Sequence, residues 1–206
     1  MSVYSENGRE TIFVVDDDVL VRRSLEVALS IAGFKIVQFA SAQQFLAQIA
    51  PGQSGCVLVD IRMPGMDGLA LQEELSRRHA SMSVIIITGH ADVPLTVRAM
   101  KAGALDVLEK PFSNEKLIAQ VKSALAVAAE RTADASRKKK LSQKIESLSD
   151  RERDVLRLVV EGYSNRKIAG ALAISPRTVD IHRARVMEKL DAGNLAELVR
   201  MTAPLL

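Results

Sequence analysis

Apolar residues fall into short blocks at regular intervals along the first 128 residues, and the blocks alternate between two patterns. Thr11-Ile12-Phe13-Val14-Val15 is a β-rich run, too short for a helix, that stops at Asp16-Asp17-Asp18. Similar runs recur at residues 35–39, 56–59, 84–87 and 104–108. Continuous apolar strands suit a parallel sheet buried on both faces. Between them the spacing changes to three and four, as in Val21, Leu25, Ala28, Leu29 and Ala32, the inner stripe of a predicted helix over 21–32 with Gly33 as its stop. Helices are also predicted over 41–49, 68–78, 93–102 and 113–128. Five strands alternating with five helices predict an α/β fold, a doubly wound five-stranded parallel sheet.

Beyond residue 128 the strand pattern disappears. Residues 129–147 continue without Gly or Pro and predict a basic helical linker. Its run Arg137-Lys138-Lys139-Lys140 reads either as a solvated face or as a contact to DNA phosphates. From Leu148 a second, smaller all-α domain follows, over 148–206. Ser149-Asp150-Arg151-Glu152 has the form of a capping box. The helix it opens turns Val155, Leu156, Val159 and Val160 inward and ends at Gly162. Ser164 or Asn165 caps the next helix, which carries Ile168, Ala169 and Leu172. The tight turn Ala173-Ile174-Ser175 leads to a third helix with Pro176 at its first position. A fourth helix begins at Asn194 or Leu195. Short helices joined by such a turn predict a helix-turn-helix unit.

Charge separates the two parts. The whole chain of 206 residues carries +3, but residues 1–126 carry 12 basic and 14 acidic side chains and residues 148–206 carry 10 and 8. A basic rear half suits a nucleic-acid partner. Aromatics are 3% of the chain and Trp is absent, so the cores are aliphatic. No apolar run is long enough for a membrane span, and Met1 to Glu10 is polar, without a signal-peptide stretch. The one cysteine, Cys56, lies in an apolar run and reads as a buried thiol of a cytoplasmic protein.

In doubly wound sheets function collects at the carboxyl ends of the strands. Here those ends bring Asp16-Asp17-Asp18, Asp60, Thr88 and Lys110-Pro111 to one rim. Clustered carboxylates call for a compensating cation, and a small set of hard oxygen ligands suits Mg2+. A carboxylate in such a set can attack phosphorus and form an aspartyl phosphate. A lysine and a hydroxyl then stabilise the transferred group. Asp18 also fits a helix cap.

These strings resemble the receiver domains of FixJ-type two-component response regulators over residues 10–128. The matching segments are Val14-Val15-Asp16-Asp17-Asp18, Val59-Asp60-Ile61-Arg62-Met63-Pro64-Gly65-Met66-Asp67-Gly68, Ile87-Thr88-Gly89-His90-Ala91-Asp92-Val93-Pro94, Ala99-Met100-Lys101-Ala102-Gly103-Ala104 and Glu109-Lys110-Pro111-Phe112. The resemblance implies that Asp60 accepts phosphate from a sensor histidine kinase. It implies that Asp16, Asp17, Asp60 and the backbone carbonyl of Arg62 hold Mg2+, and that Thr88 and Lys110 bind the phosphoryl group. A cis Lys110-Pro111 peptide would aim the lysine inward, and Gly89 would leave room beside the phosphoryl group. One position departs: where many receivers carry a switching aromatic on the fifth strand, this chain has Val107, a stiff β-branched residue. Val97 and Lys101 then read either as a phosphorylation-driven dimer face or as plain helix surface.

Residues 148–202 resemble the LuxR/NarL/FixJ-type DNA-binding domain, through Leu148-Ser149-Asp150-Arg151-Glu152, Ser164-Asn165-Arg166-Lys167-Ile168-Ala169, Ser175-Pro176-Arg177-Thr178-Val179-Asp180-Ile181-His182-Arg183 and Lys189-Leu190. The third helix is expected in the major groove of double-stranded promoter DNA. Val179, His182, Val186 and Leu190 face the core. Arg166, Lys167, Arg177, Thr178, Asp180, Ile181, Arg183, Ala184, Arg185 and Lys189 are the candidate DNA contacts. Asp180 reads either as a base acceptor or as a local partner of Arg177 or Arg183. Leu195, Leu198 and Val199 are candidates for a dimer contact on DNA. The function implied is phosphotransfer to Asp60 that drives homodimerisation, promoter binding and transcriptional activation through RNA polymerase, with no substrate turnover and no membrane partner. Two rivals are weaker. A haloacid-dehalogenase-like phosphatase would use Asp16 and Asp18, but its following Thr is missing. A phosphate-independent dimer scaffold would not need the acidic set.

Overall fold

The structure is a computed structural model, and it describes residues 11–50, 52–78 and 81–206. The polar start, 1–10, and the expected domain edge at residue 10 lie outside the described residues.

Five parallel strands form one sheet: β1 (Thr11–Val15), β2 (Lys35–Phe39), β3 (Gly55–Asp60), β4 (Met82–Thr88) and β5 (Asp106–Glu109). Their order is β2-β1-β3-β4-β5, so the winding reverses between β1 and β3. That places the crevice for chemistry at the ends of those two strands. Helices α1 (Val19–Ile31), α2 (Ala42–Gln48), α3 (Gly68–Arg77), α4 (Val93–Lys101) and α5 (Asn114–Glu146) alternate with the strands.

Alternating strand residues feed two apolar layers. On one face Phe13, Val57, Val59 and Ile86 pack with Phe45 of α2, Leu71 of α3 and Ala99 of α4. On the other Ile12, Val14, Leu58 and Ile85 pack with Leu25 and Leu29 of α1 and Leu117 and Val121 of α5. Cys56 is fully buried in this second layer, and burial pushes its thiol far above the usual range. Asp18 caps α1 by accepting the Leu20 amide, which starts the helix two residues before its apolar stripe. Gly33, at φ +89°, turns the chain out of α1 into β2.

The chain divides into two compact units, one up to Ala133 and one from Asp134 to Leu206. The linker stretch 129–147 is helical up to Glu146, as its lack of Gly and Pro predicts. Thr132 bonds to Ser54 in the first unit, whereas Ile145 is in the core of the second. α5 is continuous from Asn114 to Glu146 because nothing in that stretch breaks it.

The second unit contains α6 (Asp150–Val160), α7 (Asn165–Leu172), α8 (Pro176–Leu190) and α9 (Leu195–Thr202), closed by a 3-10 turn, Ala203–Leu205. Both hydrogen bonds of the capping box form between Ser149 and Glu152. Ser164 caps α7, Ser175 caps α8 and Asn194 caps α9. Val155, Leu156, Ile168, Val179, Val186, Leu190 and Leu198 make the core.

Candidate functional site

Asp16 lies at the end of β1 and is buried, with one carboxylate oxygen accepting the Asp18 amide at 2.8 Å. Asp60 ends β3, more open than Asp16, and its Oδ2 accepts the Arg62 amide at 2.7 Å. Lys110 follows β5. Its Nζ lies 2.7 Å from Asp60 Oδ1 and 3.4 Å from Asp16 Oδ2. The Lys110-Pro111 peptide is cis. The Lys110 amide also donates to the Thr88 carbonyl, so β4 and β5 end together.

Charge balance in this cluster is uneven. Burial, more than any other influence, raises the Asp16 pKa, and the nearby Asp60 charge adds to it; the Asp18 amide and Lys110 offset only part. For Lys110, burial opposes the charged form, but Asp60 and Asp16 together prevail and its pKa is raised. The ammonium therefore stays charged, with two carboxylates against it.

Thr88 is buried at the end of β4, and its hydroxyl belongs to its own loop. Oγ1 donates to the His90 carbonyl at 3.0 Å and accepts the His90 amide at 3.2 Å. Asp17 is exposed. Among the described residues no three His, Cys, Asp or Glu side chains gather as a ready metal cage. The set that does gather is Asp16, Asp60 and Lys110. Two carboxylates plus a carbonyl nevertheless suit Mg2+, which keeps several waters. A Cβ on Gly89 meets nothing within 4 Å, so the space beside it is open.

Sequence reasoning missed two residues here. The Arg22 guanidinium donates to the carbonyls of Asp16, at 2.7 Å, and Asp17, at 3.0 Å, and fixes the β1–α1 loop. Glu109 accepts the Ala91 amide at 3.0 Å and ties the end of β5 to the loop after Thr88. On α4, Val97 and Lys101 are exposed, as are Val93 and Met100. Val107 is half-buried against the layer that contains Phe13 and Phe45.

In the second unit, Arg166 and Lys167 of α7 and Arg177, Asp180, Ile181, Ala184 and Arg185 of α8 are exposed. Thr178 is half-buried and shares a hydrogen bond with the Ser175 hydroxyl. Asp180 pairs with neither Arg177 nor Arg183 directly. The Asn165 amide donates to Asp180 and its carbonyl accepts from Arg183, so one side chain on α7 links both. Lys189 is engaged elsewhere: its Nζ lies 2.6 Å from the buried Glu152 carboxylate. His182 is half-buried, with its Nδ1 away from solvent. Of the dimer candidates, Leu195 is exposed and Val199 half-buried. Leu198 must be corrected: it is 1% exposed, packed in the core of its own unit, and has no surface to offer a partner. The amphipathic turn of α9 points it inward.

Comparison with known proteins covers nearly all of the chain. Residues 12–122 match the model of the response regulator receiver domain, and residues 146–202 match that of the luxR family of bacterial regulatory proteins. The transcriptional regulatory protein FixJ of Azorhizobium caulinodans is 47% identical over 190 residues, covering 92% of this chain and 90% of that protein. The response regulator protein TodT of Pseudomonas putida is 38% identical, covering 93% and 84%. Among solved structures, the response regulator StyR superposes with a TM-score of 0.78 at 42% identity over 95% of this chain and 99% of that one. Full-length FixJ from B. japonicum gives 0.59 at 41% identity, covering 96% and 97%. Receiver domains of this family accept a phosphoryl group rather than turning over a substrate, and their phosphorylation typically needs Mg2+. No helix among the described residues is long and apolar enough to cross a membrane. A parallel α/β unit with an acid–lysine cluster at its switch point, followed by a luxR-type helical unit, makes this chain a member of the FixJ/LuxR family of two-component response regulators, with a receiver domain and a DNA-binding output domain.

Proposed function

We propose that Asp60 is the phosphoacceptor and that its phosphorylation drives dimerisation and promoter binding. The observation that carries this is the 2.7 Å contact between Lys110 Nζ and Asp60 Oδ1, with buried Asp16 behind it. Asp60 is the more open of the two carboxylates, so it is the one a donor reaches. An Asp60 oxygen attacks phosphorus; the bond from phosphorus to the kinase histidine nitrogen breaks, and an acyl phosphate forms. Asp16, Asp17, Asp60 and the Arg62 carbonyl are the residues that would hold Mg2+, whose charge would offset the carboxylates and the incoming group. Lys110 pairs with a phosphoryl oxygen. Thr88 exchanges its bond to the His90 carbonyl for one to the phosphoryl group, which frees the loop leading into α4.

The new group adds about two negative charges at pH 7. It biases α4 toward a form that dimerises through Val97 and Lys101, next to the exposed Val93 and Met100. Two linked output domains then gain avidity for paired half-sites. α8 lies in the major groove, with Arg177, Asp180, Ile181, Ala184 and Arg185 toward base edges, while Arg166, Lys167 and Arg183 serve the backbone. Leu195 and Val199 add a dimer contact on DNA, and RNA polymerase is the further partner in activation.

The test compares wild type with Asp60→Asn after treatment with Mg2+ and acetyl phosphate, following mass, dimerisation and promoter binding. Only wild type is expected to gain one phosphoryl group, dimers and DNA affinity. Equal responses in both proteins would show that Asp60 is not the switch.

A further inference from the structure

A groove of about 430 Å³ lies within the second unit, between the last turns of α5, the end of α8 and the C-terminal turn. Its floor is apolar: Leu141, Leu190, Met201, Pro204 and Leu205. Its rim is cationic: Arg137, Lys138, Lys140 and Lys144. At 3.6 residues per turn, Lys138 stands on one side of Leu141, and the other three cations on the other. Arg137 is paired with Asp134, and Lys144 with Asp191, the acid that lines the groove. Among the described residues Lys138 and Lys140 have no carboxylate partner, so two cations border an open apolar floor.

We propose that this groove binds a small amphipathic carboxylate, an acyl or arylalkyl chain ending in one negative charge. The chain lies on Leu141, Met201, Pro204 and Leu205, and the carboxylate is held by Lys138 or Lys140. Three observations select this occupant. The volume falls within the range of small-molecule sites, about 300–1,000 Å³. At roughly the 30 Å³ that one water occupies in the liquid, it has room for about fourteen heavy atoms, a chain of medium length. A second copy of this chain is disfavoured, because the same face would bring like charges together. DNA would satisfy the lysines but leave the apolar floor uncovered. The site is independent of the Asp60 reading: none of its residues belongs to the phosphoacceptor cluster.

The experiment uses the full chain with 13C-methyl methionine and titrates decanoate, with decanol as the uncharged control. The Met201 methyl signal is expected to shift saturably with decanoate, while that of Met100, exposed on α4, stays fixed. Decanol should bind at least tenfold more weakly. Reversing both free cations, in Lys138→Glu with Lys140→Glu, should weaken decanoate at least tenfold and leave decanol unchanged, a control that also reports an intact groove. No shift at Met201, equal affinity for decanol, or no effect of charge reversal would overturn the proposal. So would displacement of decanoate by a DNA duplex, or a Met201 shift that follows protein concentration alone; these would assign the groove to phosphate contact or to self-association.

Discussion

Lys189, in the last turn of α8, holds the buried carboxylate of Glu152 at 2.6 Å, where that same carboxylate closes the capping box of α6. The hydrogen bond from Lys189, followed by that from the Ser149 amide, lowers the Glu152 pKa to about 2 from 4.5. A depressed acid contributes stability above its unfolded pKa and loses it as pH falls toward the folded value. Glu152→Gln is therefore expected to destabilise the second unit by about 1–3 kcal/mol at pH 7, the usual cost of a charged hydrogen bond. The gap to wild type should close between about pH 4.5 and pH 2. Denaturation followed by Tyr163 fluorescence in a Tyr4→Phe background would measure it, since the chain has only these two tyrosines.

The same ion pair separates Lys189 from the other cations of the proposed DNA face. A side chain that neutralises a phosphate contributes about 0.9 to the slope of log K against log salt. Arg166→Ala, which removes an exposed cation of α7 assigned to the DNA backbone, should lower that slope by about one. Lys189→Ala should leave the slope unchanged and instead lower stability, because its charge is already matched by Glu152. Binding to a fixed duplex at four salt concentrations distinguishes the two. An equal drop in slope for both would return Lys189 to the phosphate contacts.

These pairings mark where the sequence stopped being legible. The sheet could be read because its strands are buried on both faces and so appear as unbroken apolar runs. The cluster could be read because Asp16, Asp60 and Lys110 each lie at or just past the end of a strand. Lys189 and Glu152 are 37 residues apart, and no period relates them. Arg22 reaches back to two backbone carbonyls, which carry no residue signature. The family resemblance marks α9 as a dimer contact without saying which of its positions turn inward, and Leu198 is one that does. Asn165 was read as a possible cap, whereas Ser164 takes that role and leaves the Asn165 amide for Asp180 and Arg183.

Asp16 carries a cost that follows from its place. Burial, with Asp60 nearby, raises its pKa, so the ionised carboxylate is disfavoured in the fold. For an acid shifted upward, the folded state binds more protons, and stability falls as pH rises through the unfolded and then the folded value. Asp16→Asn removes the charge but keeps an oxygen to accept the Asp18 amide. It is expected to raise the stability of the first unit at pH 7 by about 1 kcal/mol, roughly 2–8 °C in melting temperature. The gain should vanish in acid, where wild type is protonated. Phosphorylation by acetyl phosphate should be lost in the same variant. A less stable Asp16→Asn would mean that the Lys110 attraction outweighs burial.

Gly68, the first residue of α3, is eight positions beyond Asp60 yet touches it. A Cβ there would lie 2.5 Å from the Asp60 carbonyl oxygen and 3.1 Å from the Ile61 Cα. Both are backbone, so neither can rotate away. The Gly68 amide also donates to the Ile61 carbonyl at 3.1 Å, which holds the start of α3 against the end of β3. Gly68→Ala must push these two segments apart, at a cost of about 1–3 kcal/mol for overpacking a tight contact. The displacement falls on the residue that holds the carboxylate, so Asp60 should move relative to Lys110. Slower phosphorylation by acetyl phosphate is therefore expected together with lower stability. Gly89→Ala is the control for stability alone, because a Cβ there meets nothing within 4 Å and should leave stability unchanged. If Gly68→Ala were phosphorylated at the wild-type rate, the contact would be structural alone, and the position of Asp60 would not depend on the start of α3.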